Sequence, residues 1–271
     1  MSKHAVVLLI AVLPLAFLAC GDEGGNGSTT PGETEPSAAA PQPPGLRPID
    51  PATAATVRGS IRFEGIPPVM EQVDTSSNKD CHATHVDDPL HRETVVVNDN
   101  GTLKDVLVYV RKGLDGYQIP PVTDAPAVLD QKQCRYVPHT LGVRVGQRLE
   151  IRNSDSFNHN VHFMSRLNSE WNVNQSQNET KYREGDDTFF RREVGTCFFK
   201  CEVHVWMKAN VGIFDHPFFA VTREDGSFEI PGLPPGAYTI ETWHELYGKN
   251  TQEVTLGSTE TKTLDFTYTA R

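Results

Sequence analysis

Basic patches, long apolar runs and helical periodicity are all missing from this sequence of 271 residues. Lys and Arg total 25 against 35 Asp and Glu, a formal net charge of −10. With no basic cluster on which a phosphate backbone could dock, nucleic acid is excluded as a partner. The acidic balance suits instead a basic partner patch and salt-sensitive encounters. The apolar run Ala5–Ala19 is too short for a secure membrane span. No stretch keeps a clear 3.6-residue period, so no helix is expected, and neither a Ser/His/Asp set nor a phosphate loop is present. Residues 21–54 lack aromatics altogether.

What is present begins with a leader. Met1-Ser2-Lys3-His4 precedes the apolar run, which ends at Phe17-Leu18-Ala19-Cys20. That is the layout of a secretory signal. Its end resembles a bacterial lipobox, with small Ala19 before Cys20 and Phe17 where Leu is commoner. The resemblance implies that residues 1–19 are removed and that Cys20 carries lipid. Gly21, with no Asp beside Cys20, looks like outer-membrane sorting. The expected place is therefore the periplasmic face of the outer membrane or the cell surface, with the membrane held through the lipid. Pro31, Pro36, Pro41, Pro43, Pro44, Pro48 and Pro51 punctuate the stretch that follows. It has too little apolar surface to fold. Residues 20–54 are thus expected to be a disordered tether, spanning on the order of 30 Å.

From Val57 the pattern is strand-like. Val57, Gly59, Ile61 and Phe63 alternate with Arg58, Ser60, Arg62 and Glu64, the period of a half-buried strand. Thr94–Val97 and Val106–Val110 read as further strands joined by a turn at Asn98-Asp99-Asn100-Gly101. The polar loop Glu71–Glu93 between them carries Cys81, His82, His85 and His91. These read as exposed loop histidines, with a second metal site as the alternative. Leu141, Val143 and Val145 alternate ahead of Gly146, and Leu149 and Ile151 lead to Asn153. His159, Val161 and Phe163 share a face, so His159 points inward and His162 outward. His139 fits no ligand slot. Residues 164–194 are polar, anchored by Trp171 and Phe189-Phe190. The fold class is all-β.

One short stretch concentrates chemistry. Gly195–Met207 ends in Cys201-x-x-His204-x-x-Met207. A thiolate, an imidazole and a thioether in one loop suit copper, and a second His is available at His159-Asn160. Cys and Met are common core residues, but packing alone does not explain their spacing or the distant His-Asn. The strand ending near Asn153, then His159-Asn160, then Cys201-x-x-His204-x-x-Met207 resembles the cupredoxins. The two-residue gaps on each side of His204 look like the short-loop version found in amicyanin. The resemblance covers roughly Asp124 to His216. It departs at two points: no proline follows His204, and Glu202 follows Cys201 where relatives often carry Ser or Thr to bond the Asn. It implies one type 1 copper held by His159, Cys201, His204 and Met207. It also implies that His204 presents the edge by which electrons leave, with Val205 and Trp206 in a docking patch for a redox partner protein.

Downstream, Asp225-Gly226-Ser227-Phe228-Glu229-Ile230 and Leu233-Pro234-Pro235-Gly236-Ala237-Tyr238-Thr239-Ile240 resemble the second half of the carboxypeptidase regulatory-like module, a transthyretin-like sandwich. Arg58–Glu64 with Leu103–Val110 looks like its first half. Residues 55–118 and 217–271 are therefore expected to form one sandwich, with 119–216 inserted as a Greek-key cupredoxin. Relatives of this layout are sometimes labelled methylamine-utilisation proteins.

Five cysteines remain to be placed. Cys20 goes to lipid and Cys201 to copper. Cys197 is four strand residues from Cys201, about 13 Å, whereas bridged Cα atoms lie within about 7 Å. Cys197 therefore reads as a buried free thiol, which leaves Cys81 and Cys134 as the candidate disulfide. No His-x-His pair is present, which argues against a multicopper oxidase. The leading function is a membrane-tethered, non-enzymatic electron carrier. The alternatives are copper storage or delivery, and a non-redox module that binds carbohydrate or protein surfaces.

Overall fold

The computed structural model describes residues 45–183, 189 and 191–270. The leader, Cys20 and most of the expected tether lie outside the described residues. The fold is all-β, with one short helix among the described residues, Lys79–Thr84.

Two sheets draw every strand from residues 127–214. One has the order Trp171–Gln175, His159–Met164, Glu193–Lys200, Lys208–Phe214, Thr140–Arg144. The last pair is parallel and the others antiparallel. The other has the order Thr180–Arg183, Leu149–Asn153, Ala127–Lys132, Arg135–Val137. Inward residues of both sheets, among them Leu129, Val143, Ile151, Val161, Phe163, Phe199 and Val211, form one core. Alternation places them there: along His159–Met164 the odd positions are buried while His162 and Met164 are only half-buried.

Two more sheets draw strands from both ends of the chain. Ala55–Glu64 pairs with Ser227–Leu233, Thr261–Thr263 and Phe266–Thr269. Leu107–Lys112 pairs with Phe219–Val221 and Gly236–His244, and the latter with Gly248–Leu256. Val57, Ile61, Phe228, Ile230, Tyr238, Ile240 and Phe266 fill the core between these sheets. Gly59 is required here, because a Cβ would stand 2.0 Å from the Leu264 carbonyl oxygen. A third cluster, Leu107, Tyr109, Phe214 and Trp243, joins the two halves. Gly195, at φ +84, lets the strand Glu193–Lys200 approach Trp243, whose Nε1 would meet a Cβ at 2.5 Å.

Several expectations are corrected. Residues 45–54, expected in the disordered tether, are ordered. Arg47–Pro48 pairs with Tyr117–Gln118, and the Arg47 guanidinium sits 4.4 Å over the Tyr117 ring. Thr94–Val97 makes no strand, only an isolated bridge from Val97 to Leu103 beside the turn that Asn98 N–H closes on the Thr102 carbonyl. The loop expected to be helix-free contains Lys79–Thr84, capped by Asn78. Its six residues are too few for a sequence period to show. The polar residues 164–194, to which the sequence pattern assigns no strand, supply the edge strands Trp171–Gln175 and Thr180–Arg183.

Candidate metal centre

His159 opens its strand at one end of the core, and Cys201 directly follows the neighbouring strand Glu193–Lys200. The chain then reverses tightly: Met207 N–H donates to the His204 carbonyl at 2.8 Å, and Cys201 N–H to the Met207 carbonyl at 3.2 Å. This closure turns Cys201, His204 and Met207 inward, and none of the three, nor His159, is more than 2% exposed. The ligand atoms of His159, Cys201 and His204 lie within 4.8 Å of one another. The two Nδ1 atoms are 2.8 Å apart, and Cys201 Sγ is 3.7 Å from His204 Nδ1. Met207 packs in the same apolar cluster as Cys201.

The surrounding bonds prepare this end of the core. Asp155 Oδ2 lies 2.8 Å from His159 Nε2. A carboxylate only accepts, so the proton stays on Nε2 and the Nδ1 lone pair turns toward Cys201 and His204. Asp155 also accepts from the N–H groups of Gln133 at 2.6 Å and Cys134 at 2.9 Å. Those two residues form a turn with φ of 52 and 57. Left-handed geometry is unfavourable for non-glycine residues, and the bonds to Asp155 help to hold it. Asn153 Nδ2 donates to the carbonyls of Phe157 at 2.8 Å and Ser176 at 2.9 Å, fixing the turn that leads to His159. Phe157 packs against both imidazoles, 5.2 Å from His159 and 6.1 Å from His204.

Glu202, directly after Cys201, donates its backbone N–H to Asn160 Oδ1 at 2.5 Å. Burial opposes ionisation of the Cys201 thiol. The contacts with His159 and His204 and the backbone bonds at Asn160 and His204 outweigh it and bring the pKa down to about 6. Burial likewise disfavours the His159 cation, but Asp155 and Cys201 hold its pKa above the usual value. A buried, readily ionised thiol facing two imidazoles fits copper by donor softness.

The expected exit edge is corrected. His204 is fully buried, and its Nε2 lies 2.8 Å from Asn78 Nδ2. The loop before the helix covers it. Val205 does stand exposed, but Trp206 folds back and donates from its indole N–H to the Cys134 carbonyl at 3.1 Å. A disulfide joins Cys81 to Cys134, and Cys197 is a buried free thiol. Of the loop histidines expected at the surface, His85 is buried, its ring nitrogens 3.0 Å from the Asp88 carbonyl and 2.9 Å from the Gln133 carbonyl. His139 pairs with Glu245 at 3.1 Å. Among the described residues, His159, Cys201 and His204 form the one cluster with metal-ligand spacing, so a second site in this loop finds no support. Asp155 and Asn78 escaped the sequence reading. Asp155 could have been noticed four residues before His159, whereas nothing local marks Asn78, 126 residues from His204.

Comparison with known proteins gives first a family and then particular structures. Residues 205–269 match the carboxypeptidase regulatory-like domain. The match starts inside the ligand loop and takes in Lys208–Phe214, which pairs with Glu193–Lys200 and Thr140–Arg144. No curated protein matches the chain. Among solved structures, the Cu-containing nitrite reductase from Thermus scotoductus SA-01 is similar over 36% of this chain at 17% identity, with a TM-score of 0.30. This chain covers 25% of that protein's length. An oxidised proline-to-glycine mutant of amicyanin is similar over 35% of this chain and 96% of its own, at 21% identity and a TM-score of 0.28. A reduced proline-to-phenylalanine mutant of amicyanin shows the same coverage at 25% identity and a TM-score of 0.28.

Proposed function

We propose that the chain is a copper-binding electron carrier, not an enzyme, with His159, Cys201 and His204 as strong ligands and Met207 as the weak axial one. The observation that carries this reading is the convergence of two imidazoles and one ionisable thiol within 4.8 Å in an otherwise apolar core. Copper supplies a one-electron Cu(I)/Cu(II) couple to such a ligand set. The protein's part is to hold the donors still. Asp155 orients His159, the backbone bonds across 201–207 fix Cys201 and His204, and the two sheets exclude water. The module of residues 119–216 is read as inserted within a regulatory-like sandwich of residues 55–118 and 217–271. Support comes from strand pairing, since Ala55–Glu64 bonds to Ser227–Leu233 across the intervening chain. Export, a lipid on Cys20, a membrane anchor and a redox partner protein complete the proposal, on the strength of the leader sequence and the acidic charge.

A second reading, copper storage or delivery, gains from the covered His204 edge, because a covered edge is not offered to a docking partner. Copper titration of the mature protein, followed by absorption and EPR, tests the first reading. The parent should show a strong thiolate-to-copper band, and Cys201→Ser should abolish it while the fold survives. A variant as blue as the parent would refute the ligand set. Rapid loss of copper to a chelator, with slow electron exchange, would favour delivery.

A further inference from the structure

Asn78 sets a hydrogen-bond polarity at the rim of the metal centre that coordination would reverse. As the cap of Lys79–Thr84, it accepts through Oδ1 from the N–H groups of Asp80 and Cys81, each at 3.1 Å. Those bonds use both lone pairs of the amide oxygen. The NH₂ group is left to face His204, and it can only donate, so His204 Nε2 accepts at 2.8 Å. On the far side Asp155 keeps the His159 proton on Nε2, and His159 Nδ1 is an acceptor 2.8 Å from His204 Nδ1. Donation thus runs one way, from Asn78 through His204 and His159 to Asp155.

A neutral imidazole carries one N–H. A metal bound at His204 Nδ1 takes that nitrogen's lone pair and leaves the proton on Nε2. That N–H then points at the N–H of Asn78. Rotating the amide brings no relief, because it would turn the NH₂ group onto the two backbone N–H groups it now caps. Relief comes if Asn78 withdraws, and because Asn78 caps the segment its withdrawal releases the segment as well. Thr75–His85 can move without leaving, since the disulfide from Cys81 to Cys134 ties it to the turn beside Asp155.

On the copper reading above, we infer that Asn78 is a positioning residue that couples metal binding at His204 to the opening of a lid, Thr75–His85. Closed, the lid covers the imidazole edge. Open, it uncovers that edge beside Val205, which stands exposed already.

The test uses the mature full-length protein, demetallated and copper-loaded, with amide hydrogen exchange over residues 75–85 and copper affinity from chelator competition. In the wild type, loading should speed exchange in the lid. Asn78→Asp keeps a good cap but turns a carboxylate toward Nε2–H. It should bind copper on the order of 10–100-fold more tightly, the usual weight of a partner behind a ligand, with the lid protected in the loaded state. Asn78→Ser keeps the cap, adds no charge and deletes the donor, so it should gain a smaller factor. Wild-type exchange unmoved by loading, or Asn78→Asp and Asn78→Ser no tighter than wild type, overturns the lid while leaving the copper reading intact. A wild type with no thiolate-to-copper band removes the copper reading, and the lid falls with it.

Discussion

Each half of the molecule buries polar groups, but in different ways. In the half built on Gly236–His244, Glu241 is only 3% exposed. It is ringed by Tyr109, by Arg111 at 2.5 Å and by Lys249 at 2.9 Å. The carboxylate is closed by its own partners and has nothing left to offer. In the half that carries His159, three buried donor atoms point at one another. Donors that converge on one another rather than on oppositely charged partners make this cluster a candidate binding site. The same contrast separates two cysteines at one strand and its exit. Burial and nearby Glu193 raise the pKa of Cys197, whose thiol donates to the Val211 carbonyl. Cys201 is equally buried but faces imidazoles, and its pKa falls. Buried polarity alone therefore does not mark a site; convergence does.

The largest effect is expected where the halves meet. The Phe214 ring stacks on Phe219 at 4.4 Å and lies 5.1 Å from Tyr109. Phe214→Ala should cost about 3–5 kcal/mol through the cavity it leaves. Calorimetry should resolve two transitions in the variant and one in the parent. A single transition, merely lowered, would mean that the halves are coupled through other contacts and unfold as one cooperative unit. A smaller effect, confined to one half, is expected at Asp155. Asp155→Asn leaves a single oxygen to accept and loosens the tautomer of His159. Copper affinity should fall roughly 10–100-fold, with the unfolding of the other half unchanged. Equal affinity would show that His159 is oriented by packing against Phe157 alone.

Much of this was legible in the sequence, for reasons that depend on range. Strand alternation is local, so Ile61, Phe63, Val161 and Phe163 announce their faces within a few residues, and the all-β class follows. The spacing of Cys201, His204 and Met207 is local too. Illegible were contacts made across long stretches of chain. Asn78 meets His204 in a loop that a disulfide and the buried His85 tie back onto distant chain. Arg47 lies in a proline-rich stretch whose composition signals disorder, yet a cation stacked on Tyr117 orders it. Composition averages over a window, while one such contact acts at a single residue.

The smallest effect concerns a buried polar group that is neither closed nor convergent. Asp105 precedes Leu107–Lys112 with φ 63, is 8% exposed, and its Oδ2 has no hydrogen-bond partner. Burial raises its pKa to about 6, with Glu93 and Glu245 adding to the rise and His139 and Lys104 opposing it. A folded-state pKa above the unfolded value of 3.8 means that the native protein holds this proton more tightly. The stability it contributes is therefore fully present below about pH 4 and is lost as pH rises through about 6. Asn has no charge to bury and accepts left-handed backbone geometry. Asp105→Asn should therefore stabilise the protein by about 1–3 kcal/mol at pH 7 and by almost nothing at pH 4. His139, whose pKa Asp105 helps to raise, titrates with it, so the difference between parent and variant reads Asp105 together with that coupling. Urea unfolding at the two pH values measures it. An equal shift at both would assign the gain to packing and leave Asp105 as inert as Glu241.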